Sequence, residues 1–214
     1  MNIKKSYLPV ILWLLTAAAV SCGRVQEGFS KAELALIHGA DSIMRVLTIE
    51  DKEDSILLRT PSSELPAPAL LSSDYKRLAD LMVATVTDPS QDGVGIAGPQ
   101  VGLNRRVVAV QRFDKEPVLR EGRMDHPFEV YPNVRIVWAS DSLETGPEGC
   151  LSVPGRRGEV LRSREIVIEY DSITSDAEGN RKITMVRDTV KGFTAVIFQH
   201  EIDHLDGVLY TDRL

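Results

Sequence analysis

Cysteine is scarce in this chain, with two among 214 residues, too few for a disulfide framework. Excess positive charge is missing as well. Lys and Arg number 25 against 31 Asp and Glu, a formal net charge of −6, and the pI is about 5.3. Such a chain has no broad cationic field to displace counterions from phosphates, which excludes a protein that coats nucleic acid. A membrane-spanning run is also lacking: roughly 20 apolar residues are needed, and Leu8 to Val20 supplies 13. No internal repeat or low-complexity tract interrupts the chain. What remains is 43% apolar and 26% charged residues, the composition of a globular protein with a real core and a length that suits one domain.

The N-terminus reads as an address. Lys4 and Lys5 precede the short apolar run, as in a secretory signal. Small residues then lead into a cysteine, Ala17-Ala18-Ala19-Val20-Ser21-Cys22-Gly23. This resembles a bacterial lipoprotein signal, which implies cleavage after residue 21, lipid on Cys22 and a place on the cell envelope facing away from the cytoplasm. Loss of Lys4 and Lys5 would leave 23 basic against 31 acidic residues. Residues 22–45 are expected to form a polar tether and a first helix, with the catalytic domain spanning 46–214.

Along that body, Ser30 and Glu33 form a capping-box pattern, with Leu34, Ile37, Met44 and Leu47 tracing a stripe behind it. Three prolines make residues 60–72 an expected extended loop. A second helix should start near Ser73, because Leu78, Leu81, Met82 and Val86 recur at helical spacing. Residues 105–111, 130–139, 165–170 and 182–186 read as strands. A last helix is expected from Gly192 to Leu205. Helix, strands, helix in that order predicts an α+β fold, with mixed or antiparallel sheets packed around the C-terminal helix.

Chemistry concentrates in three stretches. In Gln199-His200-Glu201-Ile202-Asp203-His204, two histidines one helical turn apart can reach one metal ion, and Glu201 beside them can move a proton. Chance predicts about 0.005 such matches in a chain of this composition, so the spacing is not an accident. Phe193, Val196 and Ile197 share the histidines' face, which should be buried against the sheet. His38 and His126 have no supporting context and are expected at the surface. A catalytic site needs a third ligand, and Cys150 in Glu148-Gly149-Cys150-Leu151-Ser152 is the better candidate. The third stretch, Gly93-Val94-Gly95-Ile96-Ala97-Gly98-Pro99-Gln100, is too glycine-rich for a helix or an ordinary strand. It lacks both the preceding strand of a dinucleotide fold and the Gly-Lys-Ser/Thr ending of a P-loop.

In this order the three stretches resemble the peptide deformylase family, over roughly residues 46–214. The likeness extends to Val101-Gly102-Leu103, Val153-Pro154-Gly155 and the ending Leu-Tyr-Thr-Asp-Arg-Leu. It implies a hydrolase that removes the formyl group from N-formyl-methionyl peptides or proteins and releases formate. Cys150, His200 and His204 would hold one divalent ion, with Fe²⁺ as the active form and Zn²⁺, Ni²⁺ or Co²⁺ able to bind. Glu201 would take a proton from water and return it to the departing amine. The Gln100 amide and the Leu151 backbone N–H would stabilise the oxyanion. Val94 and Gly95 would pair with the peptide backbone, and Phe193, Val196 and Ile197 would line the methionine pocket.

Two departures from the family pattern carry expectations. Gly98 stands where alanine is usual, which would loosen the loop holding Gln100. The 50-residue gap from Cys150 to His200 predicts an extended hairpin over 171–191. A zincin-like metallopeptidase is the nearest rival, although only Asp206 and Asp212 could replace its downstream third ligand. A catalytically idle, peptide-binding lipoprotein is the other. Partners are therefore a formylated peptide and, through Cys22, a membrane; no nucleic acid is expected, and the protein should be a monomer.

Overall fold

The computed structural model describes residues 28–91, 93–120 and 122–214. The signal segment 1–21, Cys22 and most of the tether lie outside the described residues. Among those described, no helix is long and apolar enough to cross a membrane.

Helix α1 (Lys31–Gly39) begins where the capping box places it. The Ser30 side chain accepts from the Glu33 N–H, and the Glu33 carboxylate accepts from the Ser30 N–H. It stops sooner than its apolar stripe suggested: Met44 and Leu47 lie beyond its end, yet both are buried. Ile37, Leu36 and Phe29 join the main core, so the N-terminal helix packs into the body rather than standing off it. Helix α2 (Lys52–Leu58), capped by Asp51, has too few turns to show a sequence period. Within the proline-rich stretch a single turn, α3 (Ala67–Leu70), forms because Pro68 sits in its first turn, where a missing N–H costs nothing. Helix α4 (Ser73–Val86) is capped by Ser72 and buries Leu78, Leu81, Met82 and Val86.

The glycine-rich stretch contains a strand after all, β1 (Gly95–Ala97), followed by a 3₁₀ turn over Gly98–Val101. Strand β2 (Val107–Gln111) follows, then the small hairpin of β3 (Val118–Arg120) and β4 (Arg123–Asp125). The run expected as one strand over 130–139 is two, β5 (Phe128–Pro132) and β6 (Arg135–Ala139), split at Asn133, which takes a positive φ of 54°. Strands β7 (Leu143–Cys150) and β8 (Val153–Ser163) form a hairpin with no clear alternation in sequence. Strands β9 (Glu165–Ser175) and β10 (Arg181–Lys191) pair over eleven residues and make the extended hairpin that the long spacing predicts. Helix α5 (Gly192–Leu205) has the predicted bounds.

The fold is α+β. Its sheets are β1-β2-β5 and β10-β9-β6, with two separate hairpins. Every strand ladder is antiparallel. A mixed sheet is thus not observed among the described residues; the one parallel contact is an isolated bridge, Ser63 to Arg105. Strand β2 explains how the layers join. Val107 and Ala109 face a core of α1, α3 and α4 residues, whereas Val108 and Val110 face Tyr131, Ile166, Ile168 and Phe198. A strand covered on both faces must be apolar throughout, and that central sheet carries α5 against its second face.

Candidate active site and metal centre

Strand and helix supply the three ligand candidates separately. Cys150 closes β7 at a register shift between Gly149 and Cys150, while His200 and His204 project from successive turns of α5. Their ligand atoms all lie within 4.8 Å of one another, and Cys150 Sγ is 3.2 Å from His204 Nε2. Around a tetrahedral ion, neighbouring nitrogen and sulfur ligands sit roughly 3.3–3.7 Å apart, so this group closes on an ion with small side-chain shifts. His200 Nδ1 lies 2.8 Å from Glu148 Oε2. A carboxylate can only accept, so Nδ1 carries a hydrogen, and Nε2 is the atom that would face a metal. Two further buried atoms, His204 Nδ1 and Glu201 Oε2, have no hydrogen-bond partner. A thiolate and two imidazoles suit a divalent transition metal.

Charge is distributed to match. Arg162 is buried and bridges two carboxylates: Nε and Nη2 donate to Glu148 at 2.7 and 2.9 Å, and Nη1 donates to Asp203 at 2.6 Å. Arg213 closes the far side of Asp203. Burial opposes the Glu148 charge, but Arg162 and His200 outweigh it and hold the carboxyl down at about 2. Burial would lower His200, yet Cys150 and Glu148 raise it to about 10. His204, deeper and facing His200, is pushed well below its ordinary value. Burial lifts Glu201 to about 7, where a carboxylate can both take and return a proton near neutrality. A dication among these groups would oppose the His200 proton and favour ionised Glu201.

The glycine-rich stretch makes room for this helix. A Cβ on Gly95 would lie 2.5 Å from Glu201 Oε1 and 2.8 Å from Ile197 Cγ2, so β1 reaches α5 only because position 95 has no side chain. Gly98 does not loosen the loop. Its missing Cβ would fall 2.6 Å from the Arg105 carbonyl and 2.8 Å from that of Leu103, and the turn is fully buried. Gln100 is held at both ends. Its Oε1 accepts from the Ala97 N–H at 2.8 Å, which fixes the amide so that Nε2 points at Ser152 Oγ (3.2 Å) and Cys150 Sγ (3.6 Å).

These groups open on one cavity of about 820 Å³, lined by Gln100, Cys150, His200 and Glu201 together with Val94, Gly95, Leu151, Val196 and Ile197. Apart from His204, the site residues expected from sequence in the body of the chain border it; Cys22 lies outside the described residues. His204 is the exception to direct lining, being buried behind Cys150. The helical face is not uniformly buried as expected. Phe193 is 56% exposed, with its ring beside that of Phe113. His38 is exposed and bonded to Asp74, while His126 is partly exposed at the surface, its ring against Phe113. Asp206 and Asp212, the possible third ligands of a zincin site, are engaged by Arg106 and Arg59.

Four contributing residues carried no sequence signal of their own: Glu148 as a carboxylate orienting His200, Arg162, Asp203 and Ser152. Arg162 shares the parity of buried Val160 in β8. A cation on the inward face of a strand demands buried carboxylates, and that pattern could have pointed to it.

Comparison with known proteins shows the family. Residues 43–214 match the family model described as polypeptide deformylase. A peptide deformylase of Roseiflexus sp. (strain RS-1) is 35% identical over 182 residues, covering 81% of this chain and 89% of that protein. One from Thermus thermophilus is 38% identical over 149 residues, covering 66% and 71%. The crystal structure of a class I type b peptide deformylase from Acinetobacter baumannii with Met-Ala-Ser bound superposes with a TM-score of 0.63 at 33% identity. It covers 80% of this chain and 98% of that one. The peptide deformylase from Thermotoga maritima gives a TM-score of 0.62 at 27% identity, over 81% and 99%. With the family model matched over residues 43–214 and 35% identity to a relative covered over 89% of its length, the chain belongs to the peptide deformylase family.

Proposed function

We propose that this protein removes the N-formyl group from N-formyl-methionyl peptides or proteins and releases formate. The grouping of Cys150, His200 and His204 beside a cavity that Glu201 and Gln100 also line carries the reading. Cys150, His200 and His204 would hold one divalent ion, Fe²⁺ in the active form, with Zn²⁺, Ni²⁺ and Co²⁺ as alternatives. When bound, the ion supplies Lewis acidity to the formyl carbonyl and acidifies water. Glu201 takes one proton from the attacking water, whose oxygen bonds to the formyl carbon. As the carbon–nitrogen bond breaks, Glu201 gives that proton to the methionine amine. Gln100 Nε2 and the Leu151 N–H donate to the oxyanion; a donor of this kind is worth on the order of 10²–10³ in rate. Strand β1 lies at the edge of its sheet, where Val94 and Gly95 can add the peptide as a further strand. Phe193, Val196 and Ile197 form the apolar wall for the methionine side chain. Formate appearing from formyl-Met-Ala-Ser tests the proposal. Cleavage of the Met–Ala bond instead would mark a metallopeptidase, and no turnover an idle peptide binder.

Placement is proposed separately, from Lys4, Lys5, the short apolar run and Cys22. Residues 1–21 form a lipoprotein signal, 22–45 a tether with α1, and 46–214 the catalytic domain, a monomer on the bacterial cell envelope facing outside the cytoplasm. A net-negative body has no attraction to anionic headgroups, so anchoring falls to the lipid alone. Native protein should partition into detergent with the membrane fraction, and Cys22→Ala should abolish lipid labelling. Full-length protein that stays soluble in the cytoplasm with Met1 retained would sink this placement and leave the chemistry untouched.

A further inference from the structure

The open side of the cavity carries two arginines that no step above uses. Arg156 and Arg157 lie on β8, both exposed and both bordering the cavity. Arg157 pairs in register with Gly149, the residue before Cys150. Its stem takes the space beside that glycine, with Cγ 3.5 Å from where a Cβ would be. Arg157 thus stands opposite the residue before the metal-ligand candidate Cys150, and both arginines border the cavity that Glu201 lines.

Neither arginine has an ion-pair partner among the described residues. Elsewhere the arginines of this acidic chain are heavily used: Arg45, Arg59, Arg106, Arg112, Arg135, Arg162 and Arg213 all hold carboxylates. The two acids that border the cavity do not compensate the rim, since Glu148 and Glu201 are both buried and Glu148 is committed to Arg162 and His200. An uncompensated pair of guanidiniums at the mouth of a low-dielectric cleft focuses negative charge toward it. Guanidinium geometry also suits two-point contact with a carboxylate.

We propose that Arg156 and Arg157 recognise a carboxylate on the substrate downstream of the formyl-methionine, either the free C-terminus of a short peptide or an Asp or Glu side chain. The inference rests on the deformylase reading and names the substrate class of the same site. It requires an extended peptide that enters with its formyl end at Glu201 and leaves across β8.

The test compares three substrates on metal-loaded full-length protein in detergent: formyl-Met-Ala-Ser with a free carboxylate, the same peptide as its C-terminal amide, and formyl-Met-Ala-Asp as its amide. Either carboxylate should raise kcat/KM over the neutral amide by about fivefold, as one exposed ion pair can, mainly through KM. The ratio should fall toward one in the Arg156→Gln/Arg157→Gln double variant, and at about 0.5 M salt, where screening is nearly complete. Because the ratio is taken on one enzyme preparation, a folding defect cancels. Preference for the free terminus alone assigns short peptides, and preference for the aspartate alone assigns acidic protein N-termini. Equal rates on all three, or a preference that survives the double substitution, would overturn the carboxylate assignment while leaving deformylation standing. Absence of formate from every peptide would overturn the activity on which it rests.

Discussion

Arg162→Met is the perturbation that the site's electrostatics predict most sharply. The side chain is 4% exposed and makes three charge-assisted hydrogen bonds, two to Glu148 and one to Asp203. Methionine keeps the length and apolar stem but leaves both carboxylates without that cation, although Asp203 retains Arg213. Removing one partner of a buried ion pair costs about 3–5 kcal/mol. The Glu148 carboxyl gives a comparable figure. It is held at about 2 against an ordinary 4.5, which corresponds to about 3 kcal/mol of stability. Because the folded value is depressed, that contribution is present above pH 4.5 and is lost as pH falls from there toward 2. Urea denaturation at pH 7 should show the midpoint falling by roughly 1.5–2 M, and the gap from the parent should close below pH 4.5. Adding Glu148→Gln to Arg162→Met should cost less than the two single changes summed, since the first change removes the reason for the second. A loss under about 1 kcal/mol, or strictly additive effects, would refute the claim that this network acts as a unit.

Glu201→Gln should retain the metal and lose at least about 10² in kcat; near-normal turnover with metal bound would remove Glu201 as the proton shuttle. The parent's kcat/KM should rise with pH through the Glu201 ionisation, at or below about 7, because the ionised form is the base and a dication lowers its value further; a profile without that limb counts against the role. Gly98→Ala should destabilise the fold by about 1–3 kcal/mol, measured by thermal melting, since its methyl group meets two backbone carbonyls; an unchanged melt would show that the turn relaxes freely. Zn²⁺ should displace Fe²⁺ on affinity, while the Fe²⁺ form should be more active and decay in air as iron and Cys150 oxidise; a fully active zinc form prepared in air contradicts this.

The sequence was legible where one period or one spacing acts locally. Helix α5 and its two histidines follow from a single turn of rise, and α1 announces itself through Ser30 and Glu33. It was illegible where partners are far apart in the chain. The β7–β8 hairpin places Cys150 beside α5, yet its exposed arginines and glycines hide any alternation. Arg162 gains meaning only when the fold brings it to Asp203, 41 residues away. Gly98 misled for a related reason: the carbonyls that forbid a side chain there belong to residues 103 and 105, after the chain has turned back on itself.

The central claim is that one ion held by Cys150, His200 and His204 makes this chain a deformylase. Anaerobic titration of metal-free protein with Fe²⁺, reading formate release from formyl-Met-Ala-Ser at each addition, tests it most directly. The rate should rise linearly and break at one ion per chain, with one new amine formed for each formate. Amine released without formate, or a rate indifferent to added metal, would contradict it.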